Sequence, residues 1–184
     1  MEFDGDIIGI DLSLRSTGIV RLSLDGYLLD FGIVRSPKKT EEDLLIYNSK
    51  NIMDFIRKDD VYSVALEGLS HGGKSSMKDM IDGNFWMVRC AIKKYNNKIR
   101  IGAIPVLSWR NKILSKKEQK DARKIKDGLK IYVVNKLDVK IEHKFLEYLK
   151  QENLPNRSLY DLSDAYFVAK HRYKLFLKDH PESA

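Results

Sequence analysis

The sequence has little of what disulfide-bonded, zinc-binding or membrane-spanning proteins need. It holds one cysteine, Cys90, which cannot form an internal disulfide, and no Cys/His cluster has the spacing of zinc ligands. No apolar run approaches the length of about 20 residues that spans a bilayer. Residues 1–6 are acidic and lack the basic and apolar segments of a secretory signal. These absences predict a protein of a reducing compartment such as the cytoplasm.

Composition predicts one folded, basic domain. The 184 residues are 43% hydrophobic and show neither repeats nor low-complexity stretches, which favours a single domain over residues 1–184. Lys and Arg number 33 against 26 Asp and Glu, a net charge of +7. This balance favours an anionic partner, nucleic acid first, although a basic protein without such a partner has the same composition.

Hydrophobic periodicity predicts an α/β fold. Strands are expected over residues 7–11, 18–24, 27–34, 62–67 and 99–106, and helices over residues 40–58, 77–95, 116–136, 141–151 and 160–176. The pair Asp25-Gly26 is a hairpin turn signal between the second and third strands. The expected architecture is a five-stranded mixed sheet flanked by helices, in which a three-strand antiparallel meander precedes parallel strands joined by helical crossovers.

Two helices carry apolar positions that we expect to be buried. In the helix over residues 77–95 they are Met80, Ile81, Trp86, Met87, Cys90 and Ala91. In the helix over residues 116–136 they are Ile125, Leu129, Tyr132 and Val133.

Four carboxylates stand at the ends of predicted elements. Asp11 closes the first apolar strand, Glu67 closes the fourth, and Asp161 and Asp164 open the last helix with an i, i+3 spacing that places both on one face. Like charges gathered at one point repel, so a fold that brings four carboxylates together requires a cation to offset the cost. Hard divalent cations with oxygen ligands, which serve phosphate chemistry, are the usual partners.

Each carboxylate also has an ordinary structural interpretation. Asp11 alone could cap a turn, and Glu67 could be an exposed strand end. Asp161 and Asp164 together could simply favour the positive end of a helix dipole. The convergence of all four side chains is therefore a hypothesis that the fold must test.

The ordered set of motifs resembles the RuvC-like Holliday junction resolvases of the RNase H-like superfamily. The first signature, an apolar strand ending in Asp followed by a turn ending in Thr-Gly, matches residues 9–18; the strand-end glutamate matches Glu67; the motif Asp-x-x-Asp-Ala matches residues 161–165. The resemblance covers roughly residues 6–175. The Leu-Ser pair after Asp11 stands where bacterial members have Pro-Gly and looks more like phage or viral members.

Two further departures from the bacterial members concern the loop after Glu67 and the segment before the last helix. Residues 70–76 lack the aromatic wedge that bacterial members carry there. Residues 141–155 look like an insertion.

The resemblance implies a mechanism and partners. It implies a crossover junction endodeoxyribonuclease with two Mg²⁺ ions, for which Mn²⁺ can substitute, between Asp11, Glu67, Asp161 and Asp164. Asp11 would bridge both ions, Glu67 would bind one, and Asp161 and Asp164 the other. Paired cuts on four-way or branched DNA would leave 5′-phosphates and 3′-hydroxyls, and they imply a homodimer, with the helix over residues 77–95 as the candidate interface. A phage-encoded protein would work in the host cytoplasm.

Basic residues supply the candidate DNA contacts. The sites expected to bind phosphates are Arg15, Lys74, Lys116, Lys117, Lys120 and Lys124. The alternative for the basic helix is a solvated charged face, because acidic residues are interspersed along it.

Three other functions compete with junction resolution. A broader RNase H-like nuclease would use the same carboxylates on branched DNA, RNA–DNA hybrids or structured RNA. A non-catalytic junction-binding module would not need four acids. An actin-like ATPase shares the first motif but needs two such domains to enclose a nucleotide, and 184 residues leave room for one.

Overall fold

The computed structural model describes residues 4–37, 40–68 and 75–181. Their elements run in chain order as β1 (Asp6–Asp11), β2 (Ser16–Leu22), β3 (Leu28–Arg35), α1 (Glu41–Ile56), β4 (Val61–Glu67), α2 (Ser75–Tyr95), β5 (Arg100–Ile104), α3 (Val106–Ile113), α4 (Lys116–Ala122), α5 (Gly128–Val134), α6 (Val139–Gln151) and α7 (Ser158–Asp179). The described helices include none that is both long and apolar enough to cross a membrane.

The sheet confirms the predicted mixed topology. In the described residues its strand order is β3-β2-β1-β4-β5, with antiparallel pairing among the first three strands of the chain and parallel pairing of β1 with β4 and of β4 with β5. The register places Ile10 beside Leu66. Because β1 and β4 are parallel, the next residue of each strand, Asp11 and Glu67, emerges at the same edge of the sheet.

Helices cover both faces of the sheet. On one face, α1 and α2 pack against β1, β2 and β4, with Ile10, Ile52 and Val88 fully buried. On the other face, α7 lies across the sheet with α6, α3 and α5 around it, and the buried side chains there include Phe145 and Trp109. The two layers leave the carboxyl ends of β1 and β4 open at one edge.

Two glycines of the first motif allow α7 to lie directly on the sheet. A Cβ atom on Gly9 would stand 2.4 Å from the carbonyl oxygen of Ala165 and 2.4 Å from the backbone nitrogen of Ala169. A Cβ atom on Gly18 would stand 2.1 Å from the carbonyl oxygen of Asp161. Only glycine tolerates such an approach, so these two positions set how close the carboxylates of α7 come to Asp11.

The buried side of α2 differs from the predicted one. Among residues 78–95 of this helix, whose side chains the structure describes, the buried ones are Asn84, Phe85, Val88 and Ile92. Three predicted core positions face solvent, namely Cys90, Trp86 (57% exposed) and Ile81 (39% exposed), and three are half-buried, namely Met80, Met87 and Ala91. Apolar residues lie on both sides of this helix, so periodicity could not tell which side meets the sheet.

The predicted basic helix over residues 116–136 is two helices, α4 and α5. They are separated by a turn in which Asp127 has a left-handed φ of 54° and a Cβ on Gly128 would stand 2.1 Å from the carbonyl oxygen of Ala122. An Asp-Gly pair is a turn signal that overrides the helical pattern. Ile125, predicted to be buried, is 52% exposed, whereas Val133 reaches the core.

Candidate active site

Three of the four predicted carboxylates meet at the open edge of the sheet. One oxygen atom from each of Asp11, Glu67 and Asp164 lies within 4.8 Å of the others. Asp164 is nearly fully buried and stands in the second turn of α7, since that helix begins at Ser158 rather than at residue 160. Two parallel strands and one helix thus bring together residues 56 and 97 positions apart in the chain.

The electrostatics of this cluster fit a bound cation. Burial raises the pKa of Asp11 well above its usual 3.8, and the nearby charges of Glu67 and Asp164 raise it further. Burial and the charge of Glu67 raise the pKa of Asp164 from 3.8 to about 7, against the opposing charge of Arg110. The Oδ1 atom of Asp164 is buried without a hydrogen-bond partner in the described residues. Crowded carboxylates with a free buried oxygen are a suitable ligand set for a hard divalent cation.

Asp161 lies outside the group of oxygens within 4.8 Å. Its carboxylate accepts a hydrogen bond from the hydroxyl of Ser16 at the start of β2. Burial raises the pKa of Asp161, while that hydrogen bond and the charges of Lys130, Arg157 and Arg35 lower it. The charge of Asp161 still raises the pKa of Asp11. The structure therefore shows a three-carboxylate cluster with a fourth carboxylate beside it, instead of one cluster of four.

A cleft of about 490 Å³ opens over the cluster and is lined by positive charge. Arg15, Arg110 and Lys130 line it together with the three carboxylates. A guanidinium nitrogen of Arg110 lies 3.5 Å from Oδ2 of Asp164, and the Arg110 side chain is largely buried. Cations beside a group of carboxylates suit an anionic group, such as a phosphate, that approaches the cluster.

The other predicted DNA contacts lie away from this cleft. Lys116, Lys117 and Lys120 are exposed on α4, and Lys124 is exposed in the turn after it, where its Nζ pairs with Asp121 at 2.9 Å. They are absent from the described lining of the cleft. Lys74 lies outside the described residues. Their role in DNA binding stays a prediction.

Sequence reasoning did not single out the residues that support this site. Asn48 of α1 and Asn84 of α2 are buried and donate to the backbone carbonyls of Leu14 and Ser13, at 3.2 and 3.3 Å, which holds the loop after Asp11 against the two helices. Asn48 and Asn84 each stand among the apolar positions of their helix, and this pattern indicates an amide that is buried to make a specific hydrogen bond. Arg110 could not be recognised, because α3 was not predicted.

Trp109 connects the core to the carboxylates. Its indole Nε1–H donates to Oε1 of Glu67 at 3.3 Å, and the residue is 1% exposed. The ring stacks on Phe167 of α7, with centroids 6.1 Å apart and planes 5° from parallel. This contact orients Glu67 from outside the cluster, as hydrogen bonds behind metal ligands commonly do.

For the Mg²⁺-dependent junction cleavage that the sequence resemblance implies, we expect Trp109→Phe to lower Mg²⁺ affinity and the cleavage rate at saturating junction by about tenfold each, because the aromatic packing stays and only the donor to Glu67 is lost. Calorimetric Mg²⁺ titration and single-turnover cleavage measure these effects, with junction affinity in EDTA as the control that should not change. Unchanged Mg²⁺ affinity and rate would show that Glu67 needs no such support.

Structural comparisons identify the fold, whereas no family model and no curated protein matches the sequence. RuvC from T. thermophilus in complex with a Holliday junction substrate aligns with a TM-score of 0.62 and 15% identity, over 95% of this chain and 96% of that one. The yeast mitochondrial Holliday junction resolvase Ydc2 aligns with a TM-score of 0.60 and 12% identity, over 97% of this chain and 82% of that one. The chain has the RNase H-like fold of these resolvases.

Proposed function

We propose that the protein is a structure-selective endonuclease that resolves four-way DNA junctions by paired, metal-dependent phosphodiester cleavage, leaving 5′-phosphates and 3′-hydroxyls. One observation carries the proposal: Asp11, Glu67 and Asp164 form a cluster within 4.8 Å on a fold shared with junction resolvases. The basic lining of the cleft above them adds support, since binding a nucleic acid backbone needs positive charge.

Two Mg²⁺ ions, or Mn²⁺ in their place, would be held at this site. Asp11, Glu67 and Asp164 would hold the ion at the cluster, and Asp161, one turn earlier on α7, would contribute to the second. Bound Mg²⁺ supplies a Lewis acid that offsets the charge developing on the phosphoryl group and on the leaving 3′-oxygen.

The surrounding side chains position the substrate and the ligands. Arg15 and Lys130 would bind the phosphates on either side of the cut. The planar guanidinium of an arginine and the flexible ammonium of a lysine both contact phosphate oxygens, and neither contact depends on the base sequence. Arg110 holds the carboxylate of Asp164 at 3.5 Å and would also face the scissile phosphate. Lys116, Lys117, Lys120, Lys124 and Lys74 would bind DNA further from the cut.

Two cuts on one junction require two active sites, so the active form would be a homodimer. The exposed side of α2 supports this, because it presents the apolar side chains of Trp86, which is 57% exposed, and of Cys90, one turn further along the helix. Buried between two copies, these side chains would contribute the apolar contact that a stable interface needs.

We further propose that the protein is of phage or viral origin and acts in the cytoplasm of the host. The ground is the Leu-Ser pair after Asp11, which looks more like phage or viral members than like bacterial ones.

A cleavage assay on labelled four-way junction, linear duplex and RNA–DNA hybrid, each with Mg²⁺ or EDTA, tests the proposal. We expect symmetric nicks on the junction only, and only with Mg²⁺. Cleavage of the RNA–DNA hybrid, or of branched DNA of every kind, would indicate a broader class of nuclease that uses the same carboxylates. Binding without cleavage under any metal would make it a junction-binding module.

A further inference from the structure

A second cleft, of about 240 Å³, lies between α3 and α7, away from the carboxylates. Its walls are the aromatic side chains of Trp109, Tyr166 and Phe167. Basic residues surround these walls: Lys112, Lys136, Lys170, His171 and Lys174. Among the described residues no carboxylate lines this cleft.

Only part of this positive charge is compensated within the protein. The Nζ atom of Lys136 pairs with Glu118 at 2.7 Å, and that of Lys170 donates to the carbonyl of Gly26 at 3.2 Å. The exposed Lys112 and Lys174 have no ion pair with any described residue.

Crowded cations destabilise one another here as crowded carboxylates do at the active site. Burial lowers the pKa of His171, and the charges of Lys112 and Lys174 lower it further. His171 is 7% exposed. An anion seated in the cleft would relieve this repulsion, as a cation would at the carboxylate cluster.

The place of the cleft on α7 suggests which anion fits. His171 and Lys174 follow Asp164 by seven and ten residues, which at 1.5 Å per residue is about 10–15 Å along the helix. Phosphates of one DNA strand advance about 3.4 Å each. A duplex arm that lies along α7 with its scissile phosphate at the carboxylates would therefore place another phosphate of that strand, about three to four steps away, at this cleft.

We infer that the cleft between α3 and α7 binds a backbone phosphate of the DNA arm that carries the cut, through Lys112 and Lys174. The inference rests on the proposed function and extends the DNA contacts beyond the active-site cleft and α4. The half-buried side chains of Phe167 and Ile113 in its lining provide a small apolar surface against which a deoxyribose can rest. The contact strengthens binding of the arm and leaves the chemistry at the carboxylates unchanged.

The experiment compares Lys112→Ala/Lys174→Ala with a charge-matched control, Lys144→Ala/Lys150→Ala, whose lysines are exposed on α6 and absent from the cleft's described lining. Fluorescence anisotropy in EDTA gives the junction Kd over a range of salt. For the cleft variant we expect the slope of log affinity against log salt to fall by about one to two. The control should keep the wild-type slope, and the cleavage rate at saturating junction should be the same in all three proteins.

Junctions with a single neutral methylphosphonate locate the contact. We expect a neutral linkage about three to four phosphates from the cut to weaken binding of wild-type protein but not of the cleft variant. A cleft variant that behaves like the control, or equal methylphosphonate effects in both proteins, would overturn the inference while leaving the proposed function intact. Wild-type protein that neither binds nor cuts the junction would overturn both.

Discussion

Asp11→Asn is expected to abolish cleavage of a four-way junction while the purified protein still binds the junction. Asp11 shares one cluster with Glu67 and Asp164, and its pKa responds to the charges of both and of Asp161. An amide in its place keeps the shape of the side chain but removes the charge that would hold the metal ions. The cleavage rate with Mg²⁺ should fall by several orders of magnitude, measured under single-turnover conditions.

The matched control for this substitution is Asp25→Asn, which removes the same charge from an exposed turn and should cleave normally. The Asp11→Asn protein should melt no lower than wild type in EDTA at pH 8, because one of three crowded carboxylates has been neutralised. Retained cleavage by a folded Asp11→Asn protein would remove the carboxylate cluster from the mechanism.

The metal-free protein is expected to lose stability as the pH rises from 5 to 8, and Mg²⁺ should restore it. Burial and the charge of Glu67 raise the pKa of Asp164 from 3.8 to about 7, and the pKa of Asp11 is raised as well. In the unfolded chain the carboxyl groups of Asp11 and Asp164 lose their protons near pH 4, whereas in the folded protein Asp164 keeps its proton up to about pH 7. The stability that the protonated carboxyl groups contribute is therefore fully present below pH 3.8 and is lost as the pH rises through 7.

The size of this loss follows from the raised pKa of Asp164. At about 1.4 kcal/mol per pH unit, the two units between pH 5 and 7 amount to about 3 kcal/mol, or a fall in Tm on the order of 10 °C for a domain of this size. Hydrogen bonds with Lys136 and Ser115 lower the pKa of Glu118 to about 2, so Glu118 changes stability only at pH values below this window. Thermal unfolding in EDTA between pH 5 and 8, with and without excess Mg²⁺, measures the effect.

Asp164→Asn provides the control for this titration. It should flatten the pH dependence in EDTA and weaken the stabilisation by Mg²⁺, because ligand binding stabilises only to the extent that the folded site binds the ion. Equal Tm values at pH 5 and 8 in metal-free wild-type protein would show that the three carboxylates do not share one buried site.

The strands were predictable because their patterns are local. Alternating and continuous apolar runs, the Asp25-Gly26 turn and the carboxylates at strand ends all appear within a few residues of one another. The mixed sheet and the proximity of Asp11 and Glu67 follow directly, since parallel strands end at the same edge. The break at Asp127-Gly128 was local too and was missed because the apolar stripe continued across it.

Orientation and distant contacts were not predictable. Burial of Phe85 and exposure of Trp86 depend on which side of α2 meets α1 and the sheet, and the apolar residues of α2 allow either. Arg110 reaches Asp164 from a helix that the pattern did not show, across 54 residues of chain. The hydroxyl of Ser16 donates a hydrogen bond to the carboxylate of Asp161 across 145 residues of chain, a second contact that no local pattern shows.

The sequence by itself determined the α/β class, the succession of the strands along the chain and the presence of carboxylates at the ends of elements, because these depend on residue type and near-neighbour spacing. Tertiary structure decided which three carboxylates share a site, which cations face it, and that a second basic cleft lies farther along α7. Those outcomes depend on how closely α7 approaches the sheet over Gly9 and Gly18. That distance results from packing between segments far apart in the chain, which no local pattern records.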